Sequence, residues 1–254
     1  MEWTDDGVLL SCRPQGESAA VAEVMTRHQG RYLGLVRSAR SSRMTPLLQP
    51  GNTLRLTWRA RLPGQLGLFS VEGLSLRAGF LMQEACALYG VQHLAALTRL
   101  LPERAAHEGL FQALTVVLDH LHEPLIAGPL IVRYELALLT ELGYGLDLSR
   151  CAATGQAWDL AYVSPKSARA VSRDAGAPYR DKLLPLPAFL VEGERQPGTE
   201  INFADLSGGF TLTAFFLDRH VTGPAGLDLS TTRTGMTAAF AKAYEQAGLM
   251  GFGG

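Results

Sequence analysis

In Leu54-Arg55-Leu56-Thr57-Trp58-Arg59-Ala60-Arg61-Leu62, apolar residues alternate with Arg or Thr at every step. Period two is the pattern of a strand with one buried and one wet face. Leu54, Leu56, Trp58, Ala60 and Leu62 therefore share the buried side, and Arg55, Arg59 and Arg61 share the other. The same alternation makes Trp58 a core residue and not a stacking surface. Comparable short runs stand at Gly7 to Arg13, Ala19 to Thr26, Arg31 to Arg37, Asn52 to Leu62 and Leu66 to Glu72. The turn signals Pro14-Gln15-Gly16, His28-Gln29-Gly30, Pro50-Gly51 and Pro63-Gly64 separate them. Five short strands at this spacing predict a small closed barrel.

The alternating strand lies inside a longer run, Val24 to Val71, that holds eight arginines and no Asp or Glu: Arg27, Arg31, Arg37, Arg40, Arg43, Arg55, Arg59 and Arg61. Elsewhere acids outnumber bases, so the net charge of -1 conceals a basic module joined to an acidic remainder. This is the electrostatic footprint of a phosphate-binding surface, the alternative being a solvated basic face. Between the third and fourth strands, Arg37-Ser38-Ala39-Arg40-Ser41-Ser42-Arg43 places an arginine at every third position of a small-residue loop. With nothing apolar to hold it rigid, this loop is expected to close over an extended anionic ligand. Arg31, Arg37, Arg40, Arg43, Arg55, Arg59 and Arg61 are the candidate phosphate contacts.

A chain of 254 residues with 47% hydrophobic and 19% charged residues holds one large or two small globular domains. Cys12, Cys86 and Cys151 are odd in number and far apart, which points to reduced thiols. No apolar run approaches the ~20 residues that cross a bilayer, and the acidic opening Met1 to Asp6 lacks the basic start of a signal peptide. A cytoplasmic protein is expected. From about Phe80 the period becomes helical: Leu110, Phe111, Leu114, Val117, Leu118 and Leu121 repeat at three and four residues, as do Ile131, Tyr134, Leu138 and Leu142. Pro102, Pro124 and Pro129 are read as marking turns. A Gly/Pro-containing stretch runs from Leu148 to about Thr199; helical spacing returns in Phe210, Ala214, Leu217 and Val221, and a last short helix is expected from about Met236 to Gln246.

Several chemistries are missing from the letters. There is no Gly-x-Ser-x-Gly elbow, Gly-x-x-x-x-Gly-Lys loop, His-Glu-x-x-His or Gly-x-Gly-x-x-Gly. His120 and His122, at i and i+2 of a helix, point to nearly opposite sides. No catalytic residue, cofactor or metal site is expected.

A basic five-stranded module, then a helical bundle, then Tyr134-Glu135-Leu136-Ala137-Leu138-Leu139-Thr140-Glu141-Leu142-Gly143-Tyr144-Gly145 leading into Cys151 resembles, in that order, the RecO family of bacterial DNA repair proteins. Gly7-Val8-Leu9-Leu10 and Gly16-Glu17-Ser18-Ala19-Ala20 fit the same family, and the resemblance covers nearly the whole chain. It implies an α+β protein with an N-terminal OB-fold β-barrel over residues 1–76 and a mainly helical domain over 77–254, including a zinc-finger-like region at about 149–199. It also implies a recombination mediator without enzymatic turnover. Such a protein binds single- and double-stranded DNA, anneals complementary strands, contacts the acidic tail of the single-stranded-DNA-binding protein, and helps load recombinase with RecR. A protein-interaction adaptor whose basic barrel grips an acidic partner is the alternative.

Since OB-folds combine a charged groove with aromatic stacking, Tyr32 is the candidate stacking ring, or else a barrel-core tyrosine. Arg133, just before the helix that matches the family's tail-binding region, is the candidate contact for the acidic tail, or else a helix-surface arginine. Many family members carry a zinc site of two Cys-x-x-Cys pairs. Here the first pair reads Cys151-Ala152-Ala153-Thr154 and the second falls at Ser172 and Ala175, so three thiolates are missing and no zinc is expected. Ordinary burial must then stabilise the region, with Ala161 to Pro165 and Ala170 to Ser172 as its hairpin.

Overall fold

The computed structural model describes residues 1–62, 64–191 and 200–251. Pro63, half of a turn signal, lies outside the described residues, as do 192–199, the end of the zinc-finger-like region, and 252–254. The chain packs as two compact units, Met1–His122 and Glu123–Gly254.

In the first unit β1 (Glu2–Gln15), β2 (Ala19–Thr26), β3 (Gly30–Val36), β4 (Thr53–Arg59) and β5 (Leu68–Ser75) close on themselves in the order β1-β2-β3-β5-β4. Neighbours are antiparallel except β3 and β5, which run parallel through Leu35↔Leu68 and Val36↔Phe69. β1 is long because it serves two partners. Its first half pairs with β4 from Glu2↔Arg59 to Val8↔Thr53, and its second half pairs with β2 from Gly7↔Thr26 to Gln15↔Ala19. A register shift between Leu9 and Ser11 falls along the β2 pairing, where a bulge bends the strand.

The strand begins at Glu2, five residues before the apolar run that signals it, because its inward positions there are Trp3 and Asp5. Asp5 is buried and accepts hydrogen bonds from the backbone N–H groups of His28 (2.7 Å) and Gln29 (3.2 Å), which fixes the β2–β3 turn.

The alternation read in β4 holds as far as Trp58: Leu54, Leu56 and Trp58 lie in the core with Leu9, Val24, Val36 and Phe69, but the strand ends at Arg59, so Ala60 is only partly buried and Leu62, expected on the buried side, is exposed. Trp58 stacks on Trp3 at 5.8 Å and donates its indole N–H to the Leu66 carbonyl at 3.0 Å. The chain passes the ring at Gly67, whose φ is +69°; a Cβ there would lie 2.3 Å from the indole nitrogen, so no larger residue fits.

Two helices, α1 (Ala85–Thr98) and α2 (Glu108–His120), complete this unit, which therefore extends past residue 76. Buried Arg77 ties them to the barrel, reaching Asp119 at 2.6 Å and the Thr53 hydroxyl at 2.6 Å.

The second unit holds α3 (Pro124–Glu141), α4 (Phe203–Leu217) and α5 (Ser230–Gln246) with a small sheet of β6 (Leu160–Val163), β7 (Ala170–Ser172) and β8 (Leu184–Pro185). β6 and β7 form the expected hairpin. Pro129 does not mark a turn; it lies inside α3, where losing one N–H removes a single ladder bond to Leu125, an exposed residue. α5 starts at Ser230, six residues before Met236, because its first turn is anchored from outside. Fully buried Glu135 of α3 receives the Arg233 guanidinium of α5 at 2.5 Å and the Thr213 hydroxyl of α4. Among the described residues no helix is long and apolar enough to cross a membrane.

Glu23, on β2, is another buried charge, 3% exposed. It accepts hydrogen bonds from Arg99 (2.7 Å), Arg31 (2.9 Å) and the Ser11 hydroxyl (3.0 Å). Burial pushes its carboxyl up, but these donors outweigh burial and hold it below its ordinary value. The folded form thus has the lower pKa, and the stabilisation is complete above the unfolded value and is lost as pH falls through the folded one. Glu23→Ala is expected to lower the unfolding free energy at neutral pH by about 3 kcal/mol, because it strands two arginines. Urea titrations of both proteins should show that gap shrinking below about pH 4.

Candidate nucleic-acid interface

The barrel divides the eight arginines of the basic run into two groups. Four are already engaged. Arg55 donates to Asp6 at 2.9 Å and Arg59 to Glu2 at 2.8 Å, because the β1–β4 register sets Glu2, Thr4 and Asp6 directly opposite Arg59, Thr57 and Arg55. Each carboxylate raises the pKa of its arginine, and the hydrogen bond from Arg59 lowers that of Glu2. Arg31 is mostly buried, with one nitrogen between Glu23 at 2.9 Å and Glu103 at 3.4 Å. Arg27 lies over the Phe111 ring at 5.5 Å.

Arg31, a candidate phosphate contact, thus has its charge met inside the fold. Arg55 and Arg59 remain exposed, but a phosphate would have to compete with their carboxylates.

Arg37, Arg40, Arg43 and Arg61 form the other group. All four are exposed, and none has an acidic partner among the described residues. The loop that carries the first three differs from expectation. It is pinned rather than loose: Ala39 is buried in the barrel core with Leu48, and Met44 and Leu47 pack against the same cluster. Ser41 N–H donates to the Ser38 carbonyl and Met44 N–H to that of Ser41, each at 3.0 Å. The methyl group of Ala39 is anchor enough, so the arginines are displayed from a folded turn and do not close as a lid.

Two of these side chains, Arg61 and Arg40, line open hollows. One of about 670 Å³ has Leu35, Ala60, Leu66 and Leu68 as its apolar floor and Arg59 and Arg61 at its side. Another, of about 320 Å³, lies between the β1–β2 end and the loop, with Arg40 on its edge.

Tyr32 takes the second of its two readings, the barrel-core tyrosine. The inward phase of β3 takes it into the core with Val36, 9% exposed, where it meets Trp3 and Trp58 edge-on at 5.0 and 5.2 Å. Arg104 covers its ring at 5.0 Å, so no base can stack there. Arg133 is exposed on α3 and donates one N–H to the Phe189 carbonyl at 2.5 Å.

In the second unit the positions of the two half-pairs do meet. The buried Cys151 sulfur accepts the Ser172 N–H at 3.3 Å and the Ser172 hydroxyl at 3.4 Å. Burial pushes the thiol up, but donors from Ser172 and Thr154 outweigh it and bring the pKa down to about 6. Among the described residues no cluster of three or more His, Cys, Asp or Glu could hold a metal ion.

What the sequence reading missed is the acids. Glu2, Asp6, Glu23 and Glu103 all lie outside the basic run, and no local signal ties them to it; only the register does.

Residues 1–76 match the family model for the Recombination protein O N terminal, and residues 82–226 match that for the Recombination protein O C terminal. The DNA repair protein RecO of Rhizobium etli (strain CIAT 652) is 55% identical over 248 residues, covering 97% of this chain and 95% of its own. That of Chelativorans sp. (strain BNC1) is 56% identical over 239 residues, 94% of this chain and 95% of the relative. For Methylorubrum extorquens the identity is 54% over 244 residues, 94% and 98% of the two chains. Matched over nearly its whole length by relatives of this identity, and over residues 1–76 and 82–226 by the two family models, the chain belongs to the RecO family of DNA repair proteins.

Proposed function

We propose that the barrel is an OB-fold that binds single- and double-stranded DNA through its phosphates, without reading sequence. The observation that carries this reading is the set of four exposed arginines without acidic partners among the described residues, Arg37, Arg40, Arg43 and Arg61, of which Arg40 and Arg61 line open hollows of the barrel. The strand order, with its single short parallel contact between β3 and β5, supports the OB assignment. On this reading the protein is a cytoplasmic, non-enzymatic mediator of recombination. It anneals complementary strands, works with RecR in loading recombinase, and receives the acidic tail of the single-stranded-DNA-binding protein near Arg133. The β6–β8 element is a zinc-finger-like fold in which hydrogen bonds around Cys151 stand where a metal would.

Phosphate contacts release counterions, so log affinity for single strands should fall with log salt at about 0.7 per contact, or a slope of about -3 for four arginines. Fluorescence anisotropy over a salt series measures it, and a flat response would remove the proposal. Replacing Arg37, Arg40 and Arg43 together with alanine should weaken binding to every sequence alike and flatten that slope by about 2. The Arg55→Ala, Arg59→Ala pair should do far less, since Asp6 and Glu2 already satisfy those side chains.

Arg133→Glu should weaken a labelled acidic tail peptide while leaving DNA affinity intact, because an anionic peptide then meets a like charge. Equal peptide affinity would sink that assignment. Elemental analysis of the purified protein should find no stoichiometric zinc, and about one zinc per chain would overturn the reading of Thr154, Ser172 and Ala175 as lost ligands.

A further inference from the structure

Trp158 and Tyr179 are the two most exposed aromatic side chains among the described residues, at 67% and 61%. Both belong to the small β6–β8 element. Trp158 lies two residues before β6, and Tyr179 lies in the 3-10 turn Ala177–Lys182. The segments that carry them are stitched together. Arg173 donates its backbone N–H to the Asp159 carbonyl at 2.9 Å and its side-chain Nε to Asp159 Oδ1 at 3.1 Å. Gly176 approaches Tyr162 so closely that a Cβ would lie 2.4 Å from the ring.

The charge of this element differs from that of its surroundings. Residues 149–191 contain six Lys or Arg and three Asp. Asp159 is paired with Arg173, Asp181 with Arg180 and Arg169 with Asp147 outside the stretch, while Arg150, Lys166 and Lys182 are exposed with no acidic partner among the described residues, against one exposed acid, Asp174, that has no cationic partner among them. Side chains three apart in a 3-10 turn eclipse one another, so Lys182 stands on the same ridge as Tyr179. Exposed rings interleaved with unpaired cations are what a sequence-tolerant single-strand site requires: every base has a face to stack, and every link a phosphate to neutralise.

We propose that this element is a second single-stranded nucleic-acid site, with Trp158 and Tyr179 stacking bases and Lys182 meeting the backbone. The inference rests on the DNA-binding reading of the barrel and gives it a mechanism. Annealing brings two strands together, and a chain with one strand on the barrel arginines and another on these rings holds both.

Tryptophan emission tests it in the full-length protein. Trp58 is 1% exposed and Trp3 is partly buried in the barrel, which leaves Trp158 as the tryptophan open to solvent. Oligo(dT) should quench the emission and shield it from acrylamide, and Trp158→Phe should abolish that quenching while anisotropy still reports binding. The Trp158→Ala, Tyr179→Ala pair should slow annealing of complementary oligonucleotides about tenfold or more, in line with the stacking lost per base. Binding by anisotropy with unchanged emission and acrylamide access would overturn this site and leave the barrel reading standing. Quenching that survives in Trp158→Phe, or annealing untouched in the double variant, would overturn it as well. No DNA binding at all would remove the barrel reading and this site with it.

Discussion

Closure of the barrel through β1 is the constraint that orders the first unit. One strand pairs with β4 along its first half and with β2 along its second, and this leaves neither β2 nor β4 with an open edge on that side. The same pairing fixes the electrostatics. Because Glu2 and Asp6 must lie opposite Arg59 and Arg55, the wet face of β4 is neutralised as soon as the sheet forms. The positive charge without acidic partners among the described residues lies elsewhere, on the turn from Arg37 to Arg43 and at Arg61, two residues past the end of β4.

Each unit also has a buried carboxylate that collects cations from distant parts of its chain. Glu23 draws Arg31 from the neighbouring strand and Arg99 from just past α1; Glu135 draws Arg233 from α5 and the Thr213 hydroxyl from α4. A carboxylate taken out of water is tolerable only when its lone pairs are filled, so these groups specify which partners must be in place. In the barrel it turns the charge of Arg31 inward.

In the β6–β8 element hydrogen bonds gather around one thiol, with Ser172 supplying both its N–H and its hydroxyl to Cys151. β7 and the segment from Asp147 to Cys151 are further joined by backbone bonds, among them Ala152 N–H to the Ala170 carbonyl at 2.7 Å and Ala170 N–H to that of Asp147 at 2.8 Å.

The strands, the inward position of Trp58 and most helical stripes could be read from the letters, because period two and period 3.6 are local properties of the chain. The basic run was legible for the same reason. Its use was not. Whether an arginine faces solvent or a carboxylate depends on which strand lies beside it, and the acids in question sit up to 72 positions away in sequence, as Glu103 does from Arg31. Tyr32 followed its strand into the core, while Trp158 and Tyr179 stayed outside in a stretch where no periodicity distinguishes a buried ring from an exposed one. Local patterns set which residues can share a face; burial and charge pairing are long-range, and the folded chain settles them by what it brings opposite each side chain.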